Sequence, residues 1–284
     1  MQIRCWAGAA LLASAALSVG ACRHEAREQP DAFSWNDELA PGSTLHLRTM
    51  NGSVTVRGTA ESQVHVQGIK RWRRGRARDV RFEIDRNGDD VYICAIWTRR
   101  GGRCGDETYG PRPARWLRVF SLLRRRSDMA ASFEVVLPAG VRVDATTVNG
   151  GVTVTEASGD VKAETVNGDI RASTMGGALA LSTVNGSIRA RAASLAKDAP
   201  IRLETVNGSV SAELPSPLDA DVQLSTVNGR ITTDFPVALS GRASTRELRG
   251  TVGSGGLPVR LKTVNGAVEL KTAGSSAGLG RSKW

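Results

Sequence analysis

The sequence predicts an all-β protein: a parallel β-solenoid (β-helix) with coils of about 20 residues and an inserted β-hairpin region. Three observations predict it. First, the tetrapeptide Thr-Val-Asn-Gly recurs at 147–150, 165–168, 183–186, 205–208, 226–229 and 263–266, with a near copy, Thr-Met-Asn-Gly, at 49–52. Second, apolar and polar residues alternate with period two into and out of every copy, which is strand periodicity. Third, the composition is that of a β protein: 31 glycines, only 5% aromatics, and recurrent valine and threonine. No long stretch carries helical periodicity bounded by start and stop signals.

In chain order, the first element is a leader. MQIRCWAGAALLASAALSVGAC has a basic start at Arg4, an apolar run from Ala9 to Val19, and small residues before a cysteine. That is the layout of a signal peptide over 1–21, and the run is shorter than the ~20 apolar residues of a membrane span. Val19-Gly20-Ala21-Cys22 resembles a bacterial lipobox, which puts cleavage before Cys22 and a lipid on its thiol; an ordinary signal peptide cut nearby is the alternative. Arg23 rather than Asp after the cysteine favours the outer membrane, by resemblance to Gram-negative sorting. The expected location is therefore the cell envelope, with a lipid-anchored tether over 22–42, polar and interrupted by Pro30 and Pro41.

Residues 43–69 read as the first solenoid coil, with Leu45, Leu47, Val54, Val56, Val64 and Val66 alternating with polar positions. Residues 70–131 break the pattern. Between 70 and 126 stand 17 Lys+Arg against 7 Asp+Glu, which accounts for the whole chain's net charge of +10. Inside it, FEIDRNGDDVYICAIW reads as a β-hairpin around Asn87-Gly88. Cys94 and Cys104 remain as a pair once Cys5 and Cys22 are assigned, and an exported protein would bridge them. Arginine with Trp72, Trp97 and Trp116 could bind nucleic acid, but export argues against that partner. The same chemistry suits anionic lipid, lipopolysaccharide phosphates or an acidic surface glycan. Arg73, Arg74, Arg76 and Arg78 are the candidates for such binding; otherwise the insert caps the solenoid end.

The repeats fill 132–272, and a Gly/Ser-rich tail covers 273–284. The repeated asparagines are Asn51, Asn149, Asn167, Asn185, Asn207, Asn228 and Asn265, and the last gap is about two periods, with Leu248-Arg249-Gly250 where a degraded copy would fall. Four before each Asn stand Leu47, Ala145, Ala163, Leu181, Leu203, Leu224 and Leu261, an inward column; three after it stand Val54, Val152, Ile170, Ile188, Val210, Ile231 and Val268, another. Asn-Gly is a strong hairpin signal, so an antiparallel meander also fits the alternation. Identity of letters decides for the solenoid: a stacked corner rewards the same residue in every layer through Asn and Thr ladders, and a meander gains nothing comparable. The asparagines are thus structural, and the handedness is left open.

Repeated TVNG or TMNG followed by a small or polar residue and then Val or Ile, together with the phrase FEVVLPAGVRVDATTVNG at 133–150, resembles the bacterial putative-adhesin β-strand-repeat family, a domain of unknown function in exported proteins. The resemblance covers 43–69 and 132–272 and implies a right-handed parallel β-helix; the long basic insert departs from it.

The resulting expectation is a non-catalytic envelope lipoprotein whose solenoid is an adhesin-like binding or scaffolding surface, with an envelope protein, surface glycan or anionic lipid as partner and no cofactor. The alternatives are a polysaccharide-active β-helix enzyme and a purely structural or stress-response lipoprotein. Glu164 and Glu204, two coils apart, are the nearest approach to a carboxylate pair, and at about 10 Å they lie beyond the inverting-glycosidase separation of about 6.5–9.5 Å. His24, His46 and His65 have no neighbours at ligand spacing, and no metal site is expected.

Overall fold

The computed structural model describes residues 33–72, 77–98, 104–105, 129–196, 198–240 and 244–274. No α-helix occurs among them; one 3₁₀ turn spans Ala77–Asp79. The N-terminal part supplies β1 (Phe33–Glu38), β2 (Thr44–Arg48), β3 (Val54–Gly58), β4 (Gln63–Arg71), β5 (Val80–Asn87), β6 (Asp90–Trp97) and β7 (Ala130–Leu137). The regular repeats supply β8 (Arg142–Thr146), β9 (Val152–Ala157), β10 (Val161–Asn167), β11 (Ile170–Thr174), β12 (Leu179–Asn185), β13 (Ile188–Ala192), β14 (Ile201–Asn207) and β15 (Val210–Leu214). The C-terminal part adds β16 (Ala220–Ser225), β17 (Ile231–Thr233), β18 (Ala238–Leu239), β19 (Glu247–Val252), β20 (Leu257–Lys262) and β21 (Val268–Thr272).

Two sheets face each other. One orders its strands β1-β4-β7-β3-β9-β11-β13-β15-β21-β17, the other β18-β19-β16-β20-β14-β12-β10-β8-β2-β6-β5. Each coil sends one strand through each sheet and crosses between them at Thr-x-Asn-Gly. The expected all-β solenoid is therefore the fold, with parallel pairing along the stack: β10 with β12, β12 with β14, β11 with β13, β13 with β15. Register is kept to the residue, so that Ala163 lies beside Leu181, Leu181 beside Leu203, and Leu203 beside Leu261. A one-residue slip would turn each inward column to water, and that is what holds the register.

The core is the space between the sheets. Both inward columns are buried through the regular coils, with Ile231 on the last strand of its sheet only partly covered. The filling side chains are Ala, Val, Ile and Leu, and no aromatic residue occurs from 134 to 234. Aromatics gather at the N-terminal end instead. The rings of Phe33 and Phe82 lie 4.9 Å apart and those of Phe82 and Phe133 5.4 Å apart, with Trp35, Trp72 and Trp97 packed on the same core. Parallel strands at fixed spacing leave a thin, uniform slot that small aliphatics fill; the open end of the stack needs larger covers.

Both ends depart from a simple sequential stack. Gln63–Arg71, expected inside the first coil, instead runs antiparallel to β1 and β7. β6 pairs with β2 and β7 with β3, both parallel, so β6 of the insert and β7 at its C-terminal border form one further layer on the first coil. At the other end the last coil is not outermost: β20 enters between β14 and β16, and β21 between β15 and β17. Leu248-Arg249-Gly250 is no degraded corner. It lies in β19, antiparallel to β16, and closes the second sheet together with β18. An antiparallel strand covering the parallel stack changes the pattern that another coil would need for pairing.

Candidate functional site

The seven corner asparagines stack into one column. Each Nδ2 donates to the Oδ1 of the preceding layer, in the order Asn149 to Asn51, Asn167 to Asn149, Asn185 to Asn167, Asn207 to Asn185, Asn265 to Asn207 and Asn228 to Asn265, at 2.6–2.9 Å. All the amides point the same way, and Asn51 ends the run on the carbonyl of Met129 at 3.4 Å. Beside them runs a second ladder. Thr147, Thr165, Thr183, Thr205, Thr263 and Thr226 donate their hydroxyls to Gly52, Gly150, Gly168, Gly186, Gly208 and Gly266 carbonyls at 2.8–3.0 Å. Thr49 makes the same bond to Ala131. These threonines are buried and their hydroxyls satisfied, while most of the asparagines face water.

The corner glycines have a reason beyond the one hairpins suggest, although Gly52, Gly150, Gly208 and Gly266 also take φ between +144° and +158°. A Cβ on Gly168 or Gly186 would come within 3 Å of the backbone of Gly150 or Gly168 one layer away. The coils approach backbone to backbone there, and only a residue without a side chain fits. The asparagines do not use the left-handed region, for among the described residues Glu156 is the non-glycine residue with positive φ, at 56°.

A charged cluster lies on the outward face of the second sheet near the first coil. Arg48 on β2 reaches Asp144 on β8, Nη1 to Oδ1 and Nη2 to Oδ2 both at 3.0 Å, and Nη1 also donates to the Asp144 carbonyl at 2.7 Å. His46 Nδ1 stands 3.3 Å from Asp144 Oδ2, and its ring stacks on Tyr92 with centroids 4.0 Å apart. Lys162 on β10 completes the set at 3.3 Å from Asp144. His46, Arg48 and Asp144 are buried. Burial alone would push the Asp144 carboxyl up. The hydrogen bond with His46, then the charge and hydrogen bonds of Arg48 and the charge of Lys162, outweigh that and hold it well below the usual carboxylate range. For Lys162 burial pulls downward and is outweighed by Asp144 first and Glu164 second, so its ammonium is raised. His46 Nε2 is buried without a hydrogen-bond partner.

Sequence reasoning passed over this cluster. It looked for neighbours of His46 along the chain, and Asp144 is 98 residues away. The signal was present in the repeat alignment: five before Asn51, Asn149 and Asn167 stand His46, Asp144 and Lys162, adjacent in one outward column. Arg48 and the cluster clamp the first coil to the second across the inserted region; their chemistry is that of a structural ion pair.

The other candidate residues are dispersed. Cys94 and Cys104 are joined by a disulfide with Cα atoms 5.5 Å apart. Arg78 is exposed in the 3₁₀ turn, while Cys22, Arg73, Arg74, Arg76 and Trp116 lie outside the described residues. Trp72 and Trp97 pack on the core rather than presenting their faces to a ligand. Glu164 and Glu204 flank Ser182 in register, each with a basic residue of its own strand: Lys162 at 3.6 Å and Arg202 at 2.9 Å. Among the described residues no group of three or more potential metal ligands converges, and no helix is long and apolar enough to cross a membrane.

Residues 142–271 match the Toastrack DUF4097 family. Two solved structures are similar to the chain. One is described as a putative cell adhesion protein from Clostridium sporogenes, with 10% identity, a TM-score of 0.47, and coverage of 85% of this chain and 100% of the other. The second is described as a putative adhesin from Bacteroides fragilis, with 6% identity, a TM-score of 0.28, and coverage of 87% of this chain and 99% of the other. No curated protein matches.

Proposed function

Starting from a chain whose residues 142–271 match the Toastrack DUF4097 family, we propose that it is an exported, lipid-anchored envelope protein whose solenoid displays a binding surface and performs no catalysis. The observation that carries this reading is the register of the two sheets: outward residues of successive coils stack in straight columns on two broad faces. Such faces repeat the same spacing, about 4.8 Å per strand, and need no rearrangement to meet an extended partner. The leader and lipobox-like Val19-Gly20-Ala21-Cys22 supply the export and anchoring half of the proposal. Glu164 and Glu204 each sit beside a basic residue on an open strand face, where a catalytic pair would share a cleft.

One experiment tests both halves. The wild-type chain and Cys22→Ser are expressed in a Gram-negative host, fractionated, and the purified proteins are incubated with isolated envelope fragments and with acidic glycans. The expected result is an envelope-bound wild type, a released Cys22→Ser chain, saturable binding to the fragments, and no shortening of the glycans. Glycan cleavage that disappears in Glu164→Gln or Glu204→Gln would overturn the non-catalytic reading. A Cys22→Ser chain that stays membrane-bound would overturn the lipid anchor.

A further inference from the structure

On the outward face of the second sheet, near the C-terminal end, a groove of about 470 Å³ is floored by β14, β20, β16 and β19 and reaches Ser240. The strand register sets Arg202 beside Arg260, Arg260 beside Gln223, and Gln223 beside Arg249. Three guanidinium groups thus stand in one row across four strands, spanning about 14 Å at the interstrand spacing.

This row is only partly relieved electrostatically. Arg202 and Arg260 are directly cross-strand, and like charges in that position oppose each other. Arg202 and Arg249 each pair with a glutamate two residues along their own strand, Glu204 at 2.9 Å and Glu247 at 2.8 Å, through side chains more than one-third exposed on both sides. Such exposed pairs are worth little free energy, so a bound anion can compete with the glutamate for the guanidinium. Arg260 has no carboxylate partner among the described residues; its Nε donates to Gln223 Oε1 at 3.1 Å. The acid in the groove, Asp221, accepts from the Thr251 hydroxyl and the Gly256 amide, both at 3.1 Å, and is not an arginine's partner. Each guanidinium therefore keeps N–H donors facing the groove, in the fork geometry that meets carboxylate or sulfate.

We propose that this groove binds an acidic polysaccharide, lying across the strands with its carboxylate or sulfate groups on Arg202, Arg260 and Arg249. The flat rings of Pro200 and Pro258 and the polar groups of Gln223 and Ser240 line the same groove, and they suit the apolar ring faces and hydroxyls of sugars. The open, shallow form suits a chain that enters and leaves at both ends. The inference rests on the reading of the solenoid as a display surface and assigns that surface a place and a ligand class.

The test measures binding of the purified protein to polygalacturonate, dextran sulfate, neutral dextran and vesicles of 30% phosphatidylglycerol in phosphatidylcholine, at 50 and 300 mM NaCl. The Debye length is about 14 Å at the lower salt and well under 10 Å at the higher. Arg202→Ser/Arg249→Ser/Arg260→Ser is compared with a control on the opposite sheet, Arg171→Ser/Arg189→Ser/Arg191→Ser, which removes as much charge. Expected are salt-sensitive binding to polygalacturonate or dextran sulfate, roughly tenfold or more weaker in the groove variant and within about twofold of wild type in the control, and no binding to dextran. Polygalacturonate against dextran sulfate separates carboxylate from sulfate. Equal loss in both variants, arginine-dependent binding to vesicles alone, or no binding to either acidic glycan would overturn the groove assignment. In the last case the display reading still stands or falls on the envelope-fragment assay. Single Arg260→Gln, which removes the cross-strand repulsion, should leave thermal stability equal or higher while weakening glycan binding, so a folding defect cannot stand in for a lost site.

Discussion

The dipeptide Asn-Gly does two different jobs in this molecule. At Asn87-Gly88 it opens the turn of the β5–β6 hairpin, where Asn87 pairs with Asp90, Gly88 takes φ +63°, and a Cβ on Gly88 would meet nothing within 4 Å. At the coil corners the same two letters sit where layers touch, and a Cβ would strike the backbone of the layer below. In the hairpin the glycine answers to its own backbone angle; in the stack it answers to its neighbour, and at Gly168 and Gly186 to its neighbour without a positive φ in the left-handed range. Identical letters thus acquire different physics from the contacts around them, and the repeated flanking threonine marks the difference, because the Thr hydroxyl has a carbonyl to reach only where another coil lies beneath it.

The largest effect that could break this comparison is expected at Gly168. Gly168→Ala forces two coil backbones apart in the middle of the stack, where hydrogen bonds of both ladders and both sheets converge, and should cost more than about 3 kcal/mol. Thermal or urea unfolding measures it. A cost below about 1 kcal/mol would mean that the corner glycines serve turn geometry after all.

The join between the first and second coils sharpens the comparison next, since these layers are adjacent in space but separated by the inserted region in sequence. They share the Asn149–Asn51 and Thr147–Gly52 ladder bonds with every other pair of layers and add the Arg48–Asp144 clamp. Asp144→Asn leaves Arg48 buried beside a neutral amide and should cost about 2–3 kcal/mol at pH 7. Asp144 is held below the usual carboxylate range in the fold, so its contribution is full above the unfolded carboxylate's value near 4 and is lost as pH falls through the folded value. The gap between wild type and Asp144→Asn in urea unfolding should therefore be constant from pH 7 to about 5 and narrow below about 4. A gap that does not change with pH would remove the ionic part of the clamp.

Thr183→Val asks how much of a corner is the hydroxyl ladder alone. Shape is kept, and the bond to the Gly168 carbonyl at 3.0 Å is lost from a buried site. The expected cost is about 1–2 kcal/mol, and hydrogen exchange should quicken at the two coils joined there while the N-terminal cap stays protected.

Much of this architecture was legible because each coil repeats the same problem. Ala163, Leu181 and Leu203 could be aligned by their distance from an Asn, and the alignment named the inward face and the strand period, while the identical corner letters named the parallel stack. The chain ends were less legible. Leu248-Arg249-Gly250 alternates well enough to be a worn copy, yet Glu247–Val252 pairs antiparallel; alternation tells which face is buried and is silent on strand direction. The insertion of β20 between β14 and β16, parallel to both, was hidden for another reason: any coil with Leu at the inward column can stack on any other. His46 and Asp144 were hidden by distance along the chain, although the column that unites them was within reach of the same alignment. The row of Arg202, Arg260 and Arg249 could not be assembled from the sequence at all, because it depends on the swapped order of the last coils.

The smallest effect is expected at Gly88, and its smallness is the point. Gly88→Ala has room for the new methyl group, and the difficulty is confined to a φ of +63° that an alanine adopts at a cost of about 1 kcal/mol. Because Gly88 is more constrained by angle than by contact, Gly88→Asn should recover part of that loss, asparagine being at ease in the left-handed region. Gly168→Asn should not recover anything, since the larger side chain meets the same backbone. Unfolding midpoints of the four variants separate the two uses of one dipeptide: recovery at 88 without recovery at 168 is the expected pattern. Recovery at both positions would return the corners to ordinary turns.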